Sequence, residues 1–449
     1  MPILRPFRAL RYQPARVPDL SAVLCPPYDV IDAQEQAALL RRHPYNAVRL
    51  ELPPAMEGGG GGEGGGSPLS DHGSALVSDD DARYREAART LVRWRSEGVL
   101  AKDALPSLYV HEMRYQTGSD GGSRIARGFM ARLRLEPLEP GSGVRPHERT
   151  MSAPKEDRYR LLRATGTNLS PVVVLHERSG TDTALDESTD GPPIATATEA
   201  SGVRHRLWAI DGGAASAVRL MDLLGAGPLT IADGHHRYET ALRYRQERGQ
   251  RRACESDPAY DYVLVLVYAV DAAPAALATH RVVQGLATVA GFLAAADDLF
   301  SVEHLDGPGE LLSRMATPPP AEGAARFGYW GSDGAALLAA RPERFAPLLD
   351  PSLPPAASRL DTSLLAVALR ALGGLGPEDV SSGGRVAYLK DAAAAISLAS
   401  ESGSTAFLLD PTPVSAVLRV AEAGGVMPQK STFFQPKAPT GLLFNPLEQ

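Results

Sequence analysis

The sequence predicts a mixed α/β protein (α+β) of more than one domain, and three observations carry that prediction. Short β-branched runs alternate with stretches of helical spacing. The 449 residues exceed what one modest hydrophobic core organises. Past Arg281 the composition turns to alanine and other small residues, broken by proline clusters at 318–320 and 351–355, as expected where a second domain begins.

The first marked feature is a nearly pure glycine tract at 58–66, which stays small and polar up to Asp81. It cannot offset its ordering entropy by burial, so 57–81 is expected to be a flexible insertion. A helix should follow, with Tyr84, Ala88, Leu91 and Val92 on one face and Trp94 closing it. The run 171–175 reads as a strand, 179–202 as a polar exposed loop, and 204–210 as another strand. Leu229 to Ala232 is a short strand, Asp233-Gly234 a tight turn, and Tyr238, Ala241, Leu242 and Arg245 mark the inner face of a helix reaching about Glu247. The apolar run 262–270 is a buried strand, too short to span a membrane. Strands at 326–330, 386–389 and 406–409 and a helix at 414–423 belong to a second α/β domain. The resulting division is 1–285, 286–428 and a C-terminal segment 429–449, whose Phe433, Phe434 and Phe444 should pack back on the first region.

Composition narrows the function. A formal charge of −7 disfavours a nucleic-acid backbone as partner. Two cysteines, Cys25 and Cys254, cannot build a disulfide framework or a Cys-rich metal site, and fit a reducing compartment. The N-terminal stretch has no apolar core of the secretory kind, so cytoplasm is the expected location and no membrane partner is expected.

Three constellations can carry chemistry. In Asp233-Gly234-His235-His236-Arg237 a turn delivers two histidines and an arginine to a helix N-terminus, where free N–H groups and the helix dipole favour a phosphate. Arg237 can add a bidentate clamp. The plain alternative is a helix cap at Asp233 with surface histidines; a zinc site is weaker, since adjacent histidines do not readily share one metal. The second is Pro146-His147-Glu148, leading into a helix that Ser152 caps and Pro154 opens. A carboxylate among cations there can stay ionised and accept a proton, although a solvated charged loop is the simpler reading. The third is 430–441, where Lys430, Ser431, Lys437 and Thr440 lie between aromatic anchors, as a ligand-contacting segment or simply a packed tail. No P-loop and no protein-kinase catalytic loop is present.

Taken together, Pro26-Pro27-Tyr28-Asp29-Val30-Ile31, Tyr45-Asn46-Ala47-Val48-Arg49-Leu50-Glu51, the Pro-His-Glu segment, the Asp-Gly-His-His-Arg run, Thr279-His280-Arg281 and the 430–446 tail resemble one family. It is the SerK-like free serine kinase family of the ParB/sulfiredoxin-like superfamily. The resemblance implies a ParB/sulfiredoxin-like catalytic domain with a tail returning to its site, and transfer of a phosphoryl group to free L-serine with Mg²⁺. It implies Glu148 as general base flanked by Asp233 and His236. Phosphate binding would fall to Lys155, Arg158, Gly234, His235, Arg237, Lys430, Ser431, Lys437 and Thr440, and substrate binding to His147, Asn46, Arg49 and Asn168, with no metal ligands assigned. Pyrophosphate is the favoured donor, with ATP or ADP as alternatives. The glycine-rich insertion and the second domain depart from the minimal kinase, and His235 replaces the cysteine that sulfiredoxin chemistry needs. The rivals are a non-catalytic nucleotide sensor and a phosphohydrolase.

Overall fold

The computed structural model describes residues 1–54, 81–117, 122–139, 141–148, 152–251, 257–286, 292–318, 325–376, 379, 384–428 and 430–448. The expected insertion at 57–81 lies outside these residues except for Asp81, which opens the helix Asp81–Ser96. The chain forms two compact units. One comprises Met1–Pro146, Thr150–Pro274 and Pro436–Gln449, the other His147–Arg149 and Ala275–Gln435. Both are mixed α/β.

The first unit is built on a large mixed sheet. At its centre Tyr262–Ala269 is buried along all eight residues, as a continuous apolar run requires when both faces are covered. Val172–His176 pairs with it in parallel and Gly122–Arg134 antiparallel. Beyond Val172–His176 come Leu229–Asp233 and Val144–Arg145; beyond Gly122–Arg134 come Ser107–Thr117, Arg204–Asp211 and Ala195–Thr198. The helices Ser152–Thr165 and His235–Arg251 bring Tyr159, Leu162, Tyr238, Ala241 and Tyr244 into the same core.

Two expectations change here. The stretch 179–202 is not one loop, because it holds the helix Thr181–Glu187, which buries Ala184 and Leu185, and the edge strand Ala195–Thr198. Its polar residues are the outer faces of short elements. In Asp81–Ser96 the buried face is Tyr84, Ala87, Thr90, Leu91 and Trp94, while Val92 is 64% exposed. One residue past Leu91 is a turn of about 100°, which carries Val92 off the core side.

A second core in this unit gathers Leu10, Tyr12, Val48, Leu50, Trp94 and Phe444. The C-terminal segment is threaded through it. Leu10 and Phe444 exchange backbone hydrogen bonds of 2.9 Å, Cys25 and Thr440 do so at 3.1 and 2.8 Å, and Asn445–Pro446 pairs with Thr167–Asn168.

The second unit has a six-stranded antiparallel sheet in the order Phe300–Leu305, Gly334–Ala340, Arg326–Gly331, Thr405–Leu409, His280–Val283, Val386–Leu389. A separate ladder joins Ala275–Leu277 to Phe433–Gln435. The division of the chain therefore falls after Pro274, ahead of the expected residue 286, because 275–283 supplies strands to this unit. Among the described residues no helix is long and apolar enough to cross a membrane.

Candidate functional site

The phosphate-turn candidate is assembled at the end of a buried strand. Leu229–Asp233 pairs antiparallel with Val172–His176, with a register shift between Ile231 and Asp233. Gly234 follows at φ +88°, a conformation an L side chain adopts only with strain, and a Cβ there would lie 2.9 Å from Arg237 Nε. The helix starts at His235, and Tyr238 N–H donates to the Gly234 carbonyl at 3.0 Å. Tyr238 is fully buried, and its hydroxyl ties the first turn to both backbone groups of Glu136.

Ion pairs fix the polar face of this turn. Arg237 Nη2 donates to Asp233 Oδ2 at 2.5 Å, and Arg237 Nη1 to the Pro171 carbonyl. Lys437, delivered by the C-terminal segment, donates to Asp233 Oδ1 at 2.6 Å and Asp29 Oδ2 at 2.8 Å. Burial by itself would raise the Asp233 carboxyl, but Lys437 and then Arg237 outweigh it and hold the carboxyl far below the ordinary range. Burial would likewise lower the Lys437 ammonium, yet Asp233 and Asp29 drive it well above its ordinary value. Asp233 is therefore an anchor for two cations at neutral pH, and a poor proton acceptor.

A second polar layer surrounds Glu51, whose side chain is almost fully buried. Its carboxylate accepts from Ser170 Oγ at 2.7 Å and from Tyr28 N–H at 3.4 Å. Ser170 and Thr440 hydroxyls share a hydrogen bond of 2.9 Å. Arg158 donates to the Glu51 carbonyl at 2.7 Å and to Asp157 at 2.6 Å, and lies 4.0 Å from the Tyr28 ring centroid. Burial pushes the Tyr28 hydroxyl up to about 12 against the pull of Arg158 and Arg237, so it stays protonated.

The first unit thus brings together Arg158, Gly234, His235, Arg237, Lys437 and Thr440 of the expected set. Sequence reasoning missed Asp29, Glu51 and Ser170 as site partners. The available signal was an acid closing each of two apolar runs, in Pro-Pro-Tyr-Asp and Arg-Leu-Glu. Lys155 pairs with Glu239 at 2.9 Å. His236 is half-buried. Asn46 is fully buried, with its amide nitrogen on the Ala22 and Leu24 carbonyls and its oxygen on Val48 N–H. Asn168 Oδ1 accepts from Leu264 N–H and Asn445, and Arg49 donates to the Leu40 carbonyl. Asn46 and Asn168 are occupied by the framework, whereas Arg49 keeps a buried Nε without a hydrogen-bond partner.

The Pro-His-Glu residues His147 and Glu148 belong to the second unit. The His147 carbonyl accepts Met427 N–H at 2.7 Å, its ring lies 3.1 Å from Thr432 Oγ1, and Glu148 forms a parallel bridge with Met427. Glu148 is half-buried. Ser431 is buried on Thr362 and the Pro428 carbonyl, whereas Lys430 is exposed in a left-handed conformation at φ 56°. Among the described residues no three His, Cys, Asp or Glu side chains converge as a metal cluster.

A family model described as a protein of unknown function (DUF1015) matches residues 4–363. The chain belongs to the DUF1015 family. No curated protein matches this member of the family. Among solved structures it is similar to a conserved hypothetical protein from Pyrococcus furiosus at 13% identity and TM-score 0.34, covering 66% of this chain and 90% of that one. A free serine kinase in complex with AMP gives 12% and 0.32, with 65% and 83% covered. SbnI with C-terminal truncation from Staphylococcus aureus gives 11% and 0.32, with 70% and 88% covered. Likeness of this degree transfers no residue role.

Proposed function

We propose that this DUF1015 protein is a cytoplasmic phosphotransferase that converts free L-serine to O-phospho-L-serine, with inorganic pyrophosphate as preferred donor and ATP or ADP as alternatives. The observation that carries the reading is the strand-end turn, where Lys437 and Arg237 are locked on Asp233 beside a helix N-terminus. In that reading the fold around the turn is ParB/sulfiredoxin-like, and the positive end of the helix dipole at the start of His235–Arg251 draws donor phosphate oxygens, with His235 and His236 alongside. The formal charges of Asp233, Asp29, Lys437 and Arg237 sum to zero. The negative charge of a polyphosphate must therefore be met by the helix end and by a bound cation. A hard cation such as Mg²⁺ held by the phosphate oxygens would supply that charge, while Asp29 and Asp233 stay engaged by Lys437 and Arg237. It would neutralise charge on the donor.

The motif resemblance gives Glu148 the remaining task. Its carboxylate takes the proton as serine Oγ attacks the terminal phosphorus, the new O–P bond forms, and the bond to the leaving phosphate breaks. With pyrophosphate the products are O-phospho-L-serine and orthophosphate.

The test is to incubate the protein with Mg²⁺, L-serine and, in turn, pyrophosphate, ATP and ADP, and to separate the amino acids. Phosphoserine formation supports the kinase, serine-independent orthophosphate makes the protein a hydrolase, and donor binding without turnover makes it a sensor.

A further inference from the structure

The second unit carries a buried cation that its neighbours do not neutralise. Arg281 is 3% exposed and lies on the inner strand His280–Val283, in register with Tyr388 of Val386–Leu389. Its guanidinium sits 5.6 Å from the Tyr388 ring centroid and is hydrogen-bonded to the Tyr388 side chain. Its Nη1 is buried with no hydrogen-bond partner, and so is Thr279 Oγ1, two residues earlier. A buried guanidinium lacking a carboxylate is costly, and two unsatisfied donors so close in the chain call for an acceptor that serves both. The neighbourhood is suited to a small zwitterion, since Tyr388 also feels the negative charge of Glu148. The adjacent His280 is not a competing cation, because its Nδ1 accepts Leu409 N–H at 3.1 Å and burial keeps the ring neutral.

We propose that Arg281 and Thr279 bind the α-carboxylate of the amino-acid acceptor. A carboxylate meets the guanidinium through two oxygens, one of which also takes the Thr279 hydroxyl. This rests on the kinase reading for the identity of the acceptor, but carboxylate recognition is tested without turnover.

Calorimetric titration of the full chain with L-serine and with L-serinamide, which lacks the carboxylate, gives the readout. The expected result is that the wild type binds L-serine about 10–100-fold more tightly than the amide, the range for a lost charge-assisted hydrogen-bond pair. Arg281→Gln should bind both ligands equally weakly, and Thr279→Val should lose about threefold to tenfold for L-serine alone. Equal wild-type binding of the two ligands, no binding of either, or an unchanged preference in Arg281→Gln overturns the proposal. Should Arg281→Gln fail to fold, the wild-type comparison and Thr279→Val decide. Phosphoserine production with no carboxylate preference would sink this inference alone; carboxylate preference at Arg281 without any phosphoserine would sink the kinase reading alone.

Discussion

At the scale of single residues, Lys437 is the most exacting part of the first unit's polar site. Replacing it by Met leaves Asp233 and Asp29 facing each other without the ammonium that now lies 2.6 and 2.8 Å from them. The expected cost is about 2 kcal/mol in denaturant unfolding, the range for an ionised group that loses its partner in a partly buried place, together with loss of donor binding. Gly234→Ala should cost about 1–2 kcal/mol, since alanine at φ +88° carries the left-handed penalty. Glu148→Gln should lower serine phosphorylation by roughly a hundred- to ten-thousand-fold with the fold unchanged, as removal of a general base does; near-wild-type turnover would remove Glu148 from the chemistry. The Asp-Gly-His-His-Arg turn was legible because four polar residues and a glycine stand together between a strand and a helix. Asp29 was not, because its partner Lys437 lies 408 positions away in the chain. Arg237 was read as a phosphate clamp, yet its terminal nitrogens serve Asp233 and the Pro171 carbonyl, a use that no local pattern announces.

Among the elements, the strands with continuous apolar runs were legible to within a residue or two, as 262–270 against Tyr262–Ala269 and 406–409 against Thr405–Leu409 show. The long hairpin Ser107–Thr117 and Gly122–Arg134 was not, because its arginines and polar residues at 122–127 hide the apolar half of the strand. Helix Asp361–Gly373 offers a pH test. Burial, reinforced by Asp410, pushes the Asp361 carboxyl up to about 6. The folded value lies above the unfolded one of about 3.9, so the associated stability is fully present below about pH 3.9 and is lost as pH rises through 6. Asp361→Asn should remove that component. The difference in urea midpoint between variant and wild type should grow in the variant's favour from pH 4 to pH 6 and then level off; a constant difference would contradict it.

For the whole molecule, the C-terminal segment is structural as well as a carrier of Lys437. Leu442, Leu443, Phe444 and Leu447 are all buried, and at about 1.5–3 kcal/mol for each side chain the loss approaches the 5–15 kcal/mol that holds a whole domain. A chain ending at Gln435 should therefore lack a cooperative unfolding transition for the first unit, measured by calorimetry; an intact transition would show that the segment is dispensable. Sequence alone indicated a returning tail from its phenylalanines, but Phe433 and Phe434 belong to the second unit and Phe444 alone of the three to the first; nor did it show the backbone pairing with Leu10, Cys25 and Asn168, since such long-range pairings leave no local signature. Phosphate transfer to serine is read out by phosphorus NMR of the wild type with Mg²⁺ and pyrophosphate, with and without L-serine. A phosphomonoester resonance of O-phospho-L-serine should grow in step with orthophosphate only when serine is present. Pyrophosphate consumed equally with and without serine, and no phosphomonoester signal, would contradict it.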